Sequence, residues 1–244
     1  MNNVLLKALL FTILFAILCI PIFFIKSTSK KYKLLFLLLF SVFTLNILLI
    51  SGAKLNFGLN YNWTGKILAT AFVLGVVFFL KRKNEKFDFG LTLKQKKGSL
   101  KPVIIVFTVY FLIEFIVAHQ FFGKSTFNIE SHIFQMTLPG ISEEIIYRGF
   151  YLGILNRLFP KKWFVFNTPM GYASIVVTLM FALSHGLSIT HNFQVNFNFY
   201  SMLIPFIFGL VVVWMRERTG SILLPVIFHN LTNELGLLIM NFKV

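Results

Sequence analysis

Glu143 and Glu144 stand side by side in the stretch Leu138-Pro139-Gly140-Ile141-Ser142-Glu143-Glu144-Ile145-Ile146-Tyr147-Arg148-Gly149-Phe150, whose surroundings are apolar. The chain has only eight Asp and Glu among 244 residues. An ionisable group in hydrocarbon costs several kcal/mol or more and by default marks a functional position. A carboxylate away from bulk water gains basicity by desolvation and can act as a general base. Two later apolar runs each carry a histidine with a partner four residues away, Phe181/His185 and His229/Asn233. Residues four apart share a helix face, so Glu144 pairs with Arg148 and Glu143 with Tyr147, offset by about 100°. On this reading Arg148 neutralises Glu144 and leaves Glu143 as the free carboxylate. Pro139-Gly140 can kink the helix and admit water.

These groups need a membrane scaffold to position them. Hydrophobic residues make up 57% of the chain and charged residues 13%, which implies an all-α polytopic transmembrane bundle. Apolar runs at 4–25, 34–51, 64–80, 102–122, 132–158, 171–188, 199–215 and 221–241 predict eight spanning helices. The first run is too long for a signal-peptide core and lacks a small-residue cleavage site, so it reads as a retained span. Residues 1–131 read as N-terminal transmembrane helices and 132–244 as the core that carries the chemistry, within one integral membrane domain.

The formal charge of +15 does not signal nucleic acid, because the basic residues lie in short loops between apolar runs. If the first loop is cytoplasmic, the loops at 26–33, 81–101, 159–170 and 216–220 are cytoplasmic too, with Arg148 and Arg157 assigned to the same side. Of the 23 Lys and Arg, that leaves only Lys7, Lys54, Lys66, Lys124 and Lys243 external or in the first span. This asymmetry fits the positive-inside rule and puts both termini outside. The basic patch Lys26, Lys30, Lys31 and Lys33 follows the first span, and 81–101 reads as a topogenic basic loop, with a loop lying on anionic headgroups as the alternative, before Pro102 opens the fourth. Cys19, the single cysteine, lies in an apolar run, so no internal disulfide forms.

With about 1.5 Å of rise per residue, Glu143 lies roughly 18 Å from the cytoplasmic end of its span, His185 about 20 Å, His229 about 12 Å and Asn233 about 18 Å. Three helices of alternating direction thus bring polar groups to similar depth. Glu114 and Glu234 lie in spans without a motif, and Glu234 reads as a group supporting Asn233 or facing a water-filled cavity. His119, His132 and His191 fall near external ends as interface residues. The 32 phenylalanines read as core and lipid-facing filling, with Tyr147 and Phe181 walling the site.

The motifs Glu143-Glu144-Ile145-Ile146-Tyr147-Arg148-Gly149, Phe181-Ala182-Leu183-Ser184-His185 and His229-Asn230-Leu231-Thr232-Asn233, with Arg218-Thr219-Gly220-Ser221-Ile222-Leu223-Leu224-Pro225 ahead of the last, come in this order on successive helices. Together they resemble the CPBP family of CaaX-protease and bacteriocin-processing (Abi) intramembrane endopeptidases, over roughly residues 132–241. The resemblance implies that Glu143 and His185 activate a water for peptide hydrolysis, that His229 and Asn233 stabilise the oxyanion, and that Glu144 and Arg148 are structural. It implies a membrane-associated peptide or protein as substrate, the lipid bilayer as surroundings and a cavity opening on the cytoplasmic side. The Lys-, Asn-, Ile- and Phe-rich usage points to the plasma membrane of a bacterium and a bacterial peptide. No cofactor is favoured; the alternative is zinc on Glu143, His185 and His229, although the His-Glu-x-x-His signature is absent. A non-catalytic bacteriocin-immunity or regulatory role is the second function. A proton-coupled transporter is the third, without the inverted repeats that would support it.

Overall fold

The computed structural model describes residues 2–25, 29–55, 57–83, 87–190 and 194–243. Lys26, Lys86 and His191 lie outside the described residues.

The apolar runs fold as helices because lipid leaves no partner for free backbone groups. Helix α1 spans Asn2–Leu18 and passes into a short 3-10 turn, Ile20–Phe24; α2 spans Ser29–Ala53, α3 Trp63–Arg82 and α4 Leu100–Phe121. Helix α5, Ile129–Glu143, continues into a π-helical segment, Glu144–Tyr151, and then α6, Leu152–Leu158. Helices α7 (Tyr172–Gly186), α8 (Phe199–Thr219) and α9 (Leu223–Phe242) complete the bundle. Among the described residues, six helices are long and apolar enough to cross a membrane: Asn3–Phe24, Lys30–Ala53, Trp63–Arg82, Leu100–Phe121, Phe199–Thr219 and Leu223–Phe242. The expectation of eight is met in six. Helix α7 has only 15 residues, and the passage 129–158 carries Glu143, Glu144 and Arg148 through a π segment.

Two hairpins were not expected from the sequence. Strand β1 (Lys161–Val165) pairs antiparallel with β2 (Thr168–Gly171). Phe166 and Asn167 between them have φ of 46° and 58°, the left-handed pair that a two-residue hairpin turn requires. Strand β3 (Leu187–Ile189) pairs antiparallel with β4 (Val195–Phe197).

The loops sort onto two ends of the bundle. At one end Lys96 N donates to Thr219 O (2.9 Å), Ile222 N to Gly90 O (3.0 Å) and Arg218 Nη1 to Asn167 O (3.0 Å). The loops after α3, α6 and α8, which the charge pattern put on one side, therefore meet there. At the other end Glu130 accepts from Asn60 N (2.9 Å) and Trp63 Nε1 (3.1 Å), and Ser125 N donates to Met240 O (3.0 Å).

The loop after α3 is more than a topogenic stretch. Phe89 is 2% exposed and packs on α6 where Gly153 leaves room; a Cβ at Gly153 would lie 2.7 Å from the Phe89 ring. Asp88 accepts from Arg216 Nη1 (3.1 Å) and Nη2 (2.9 Å), and Arg216 Nε donates to Arg148 O (3.2 Å). Burial opposes the Asp88 charge, but the Arg216 guanidinium and the Gly90 N–H outweigh it and hold the carboxyl below the usual carboxylate range. Arg148 and Arg216, both assigned from the charge pattern to the cytoplasmic side, are fully buried. A buried guanidinium persists only with partners fixed around it.

Candidate active site

Helix α3 supplies the first surprise. Asn62 caps it, accepting from Gly65 N (3.0 Å) and donating to Leu49 O of α2 (2.9 Å). That places Lys66 one turn into the bundle, where its Nζ donates to Glu143 Oε1 in an ion pair. Glu143 is therefore not the free carboxylate that spacing implied. The pairing joins residues 77 apart in sequence. Among the described residues no group hydrogen-bonds Glu143 Oε2, a buried atom. It lies 3.9 Å from His229 Nε2.

Glu144 is fully buried. Its Oε1 accepts from Arg148 Nη1 (3.1 Å), as the spacing predicts, and also from His229 Nδ1 (2.8 Å). A carboxylate only accepts, so His229 carries a hydrogen on Nδ1 and turns Nε2 toward Glu143. The adjacent glutamates thus divide: one positions the imidazole, the other faces it. The π segment that starts at Glu144 widens the helix there, a distortion frequent at functional sites.

Phe181 sits at the centre of this arrangement. Its ring lies 4.2 Å from the Arg148 guanidinium, meets Tyr147 edge-on at 5.3 Å and contacts the His185 ring at 4.7 Å. His185, next to last in α7, donates from Nδ1 to Phe181 O (2.8 Å), which fixes its tautomer. With Glu143, Tyr147 and Lys66 it lines a cavity of about 400 Å³. On its other side His185 borders a second cavity of about 160 Å³ with His229 and Asn233. Glu143, Glu144, Tyr147, Arg148, Phe181, His185 and His229 come together as one cluster. Asn233 sits in the adjoining cavity.

The hydrogen bonds on His229 Nδ1 and His185 Nδ1 leave the Nε2 atoms as the nitrogens a metal would take. Glu143 Oε1 holds the Lys66 ammonium, and among the described residues no group of three or more His, Cys, Asp and Glu converges for a metal.

Two contributors were missed from sequence. Lys66 reads from the charge pattern only as one of five lysines external or in the first span, yet a lysine within the apolar run 64–80 is a usable signal of a buried partner. Asn230 sits inside the third motif. Its Oδ1 accepts from Gly140 N (2.8 Å) and its Nδ2 donates to Thr137 O (3.0 Å), clamping α9 to the α5 turn before the glutamates. A Cβ at Gly140 would lie 2.3 Å from Asn230 Oδ1, so only glycine permits this approach. His132 is no solvated interface residue: it is 7% exposed, with Nδ1 2.7 Å from Glu234 Oε1 and Nε2 2.7 Å from Asn241 Nδ2. Glu234 thereby ties α9 to the start of α5 and lines neither cavity.

Residues 126–235 match the family described as type II CAAX prenyl endopeptidase Rce1-like. Over that segment the match bears out the resemblance to the CPBP family and implies a membrane endopeptidase. The segment holds every residue of the cluster from Glu143 to Asn233 and leaves out Lys66. No curated protein and no solved structure is significantly similar to the chain.

Proposed function

We propose that this protein is an intramembrane endopeptidase in which Glu143 activates a water to hydrolyse a peptide bond of a membrane-associated peptide or protein. The observation that carries this is Glu143 Oε2, buried without a hydrogen-bonding protein partner among the described residues, 3.9 Å from His229 Nε2 and beside a cavity of about 400 Å³. A water there gives its proton to Glu143 with help from His185, and the hydroxide attacks the scissile carbonyl. The Asn233 amide donates to the developing oxyanion, and His229 does so from Nε2 in its imidazolium form, which carries a hydrogen on both ring nitrogens. When the C–N bond breaks, the proton held at the Glu143/His185 pair passes to the leaving amine; the second proton of the water, now on the new carboxylic acid, passes through Glu143 to the amine, and carboxylate and ammonium products depart. Tyr147 and Phe181 wall the site, and Glu144 with Arg148 holds His229 in place. All the protons of this scheme move through the chain's own residues, without a metal.

The helix 129–158 and the short α7 form the polar inner pair of an eight-pass bundle within a bacterial plasma membrane. The substrate is a bacterial peptide or membrane regulator.

A non-catalytic immunity or regulatory role draws on one observation, the Lys66 ammonium on Glu143 Oε1. The test compares peptides released by membranes that carry the wild-type chain with those that carry Glu143→Gln at equal abundance. Peptides that vanish with the substitution establish proteolysis and name the substrate. Identical profiles, with any cellular phenotype kept by the variant, establish the binding role instead.

A further inference from the structure

The position of the Glu143 cavity along the bundle decides which side of the membrane it serves. Helix α3 has 20 residues. At about 1.5 Å per residue it spans about 30 Å, the hydrocarbon thickness of a bilayer. Trp63 therefore marks one interface, with Tyr61 beside it as aromatic anchors, and Arg82 marks the other. Lys66 lies three residues past Trp63, about 5 Å below that first interface. The rest of the cavity lining agrees. It includes Asn62, which caps α3, Ala53, the last residue of α2, and Lys7, near the start of α1. His185 stands at the same end, one residue before α7 finishes.

The opposite direction is filled. Past Glu143 toward the basic loops, Phe150, Leu152, Ile154 and Leu155 are fully buried. Beyond them Phe89 packs against Gly153, and Arg216 closes on Asp88. That braced end carries Lys94, Lys96, Lys97, Lys101, Lys161, Lys162 and Arg218, which the positive-inside rule puts at the cytoplasm.

We infer that the cavity holding Glu143 is reached from the face opposite the basic loops, so that its substrate is a peptide segment presented at the outer surface of the membrane. An exported peptide, or the outward-facing end of a membrane-inserted one, meets this geometry; the cytoplasmic opening implied by family resemblance does not. The peptide nature of the substrate rests on the proposed endopeptidase, whereas the side of access is a property of the cavity alone.

Labelling of single cysteines by a membrane-impermeant maleimide tests this in cells making the full-length chain. The wild type is the blank, since Cys19 is buried. Ala53→Cys probes the cavity mouth, Asn46→Cys its interior and Lys97→Cys the basic face. Ala53→Cys and Asn46→Cys are expected to label fully in intact cells, with no gain on permeabilisation, while Lys97→Cys labels only after permeabilisation. Asn46→Cys labelling only after permeabilisation, or from neither side while Ala53→Cys reacts, overturns the inference, as does Lys97→Cys labelling in intact cells. The readout is independent of turnover, so an inactive protein that labels as expected defeats the endopeptidase reading and leaves the side of access standing.

Discussion

Arg216 and Lys66 are both cations drawn into the bundle near a helix end, and they are held in opposite ways. The Arg216 fork is spread over Asp88 and the Arg148 carbonyl, with its side chain fully buried. Lys66 keeps a flexible stem, a partly exposed side chain and, for its ammonium, Glu143 as partner among the described residues. A planar guanidinium with fixed partners braces a structure, whereas a mobile ammonium can exchange one acceptor for another. One end of the molecule is thus built to stay closed and the other to yield. Glu143 lies at the boundary, close to the fixed Glu144–Arg148–His229 network but facing the open cavity.

The largest effect should come from breaking the fixed side of this boundary. Glu144→Gln leaves Arg148 buried without a counter-charge and removes the anion that orients His229. It should cost about 3–5 kcal/mol, read as a lower thermal unfolding temperature in detergent. The double change Glu144→Gln with Arg148→Met should recover much of that loss, because no buried charge remains. An undiminished unfolding temperature in Glu144→Gln would erase the contrast between the two regions.

Gly140→Ala sharpens the same comparison one turn away. The added methyl would meet Asn230 Oδ1 at 2.3 Å and Val226 O at 2.9 Å. Forcing α5 and α9 apart should cost about 1–3 kcal/mol. A protein as stable as wild type would show that Asn230 does not clamp these helices.

The smallest effect is at the braced face. The Asp88 carboxyl is held below its ordinary value of 3.8, so its contribution is complete above that pH and is lost as pH falls through the lower value it has in the fold. Asp88→Asn removes that contribution at neutral pH, so it should lower the neutral unfolding temperature slightly and flatten the loss of stability on acidification below pH 3.8 by the same small amount, since the Asp88 side chain is 63% exposed and screened. Equal acid sensitivity in wild type and variant would remove Asp88 from the brace.

Much of the helical scaffold and the cluster was legible because both rest on local rules. Apolar run length finds helices, and a four-residue spacing puts Glu144 beside Arg148 and Phe181 beside His185. What escaped depends on packing between distant segments. The Lys66–Glu143 pair and the His132–Glu234 pair, 102 residues apart, are set by how helices cross. The π segment has the composition of an α-helix, and only its neighbours show why it widens. The loop holding Asp88 and Phe89 reads as basic and solvated, yet Phe89 turns inward and the exposed Asp88 pairs with the buried Arg216. The β1–β2 hairpin hid in a short loop because its exposed aromatic strand lacks the alternation that marks a half-buried one.

The most direct test of the central claim is binding and turnover of an identified substrate peptide by purified wild-type protein and Glu143→Gln. The account predicts that the variant binds the peptide with unchanged affinity and loses at least about 100-fold in turnover, the scale of a positioned general base. Turnover within tenfold of wild type, or a defect confined to binding, would contradict it.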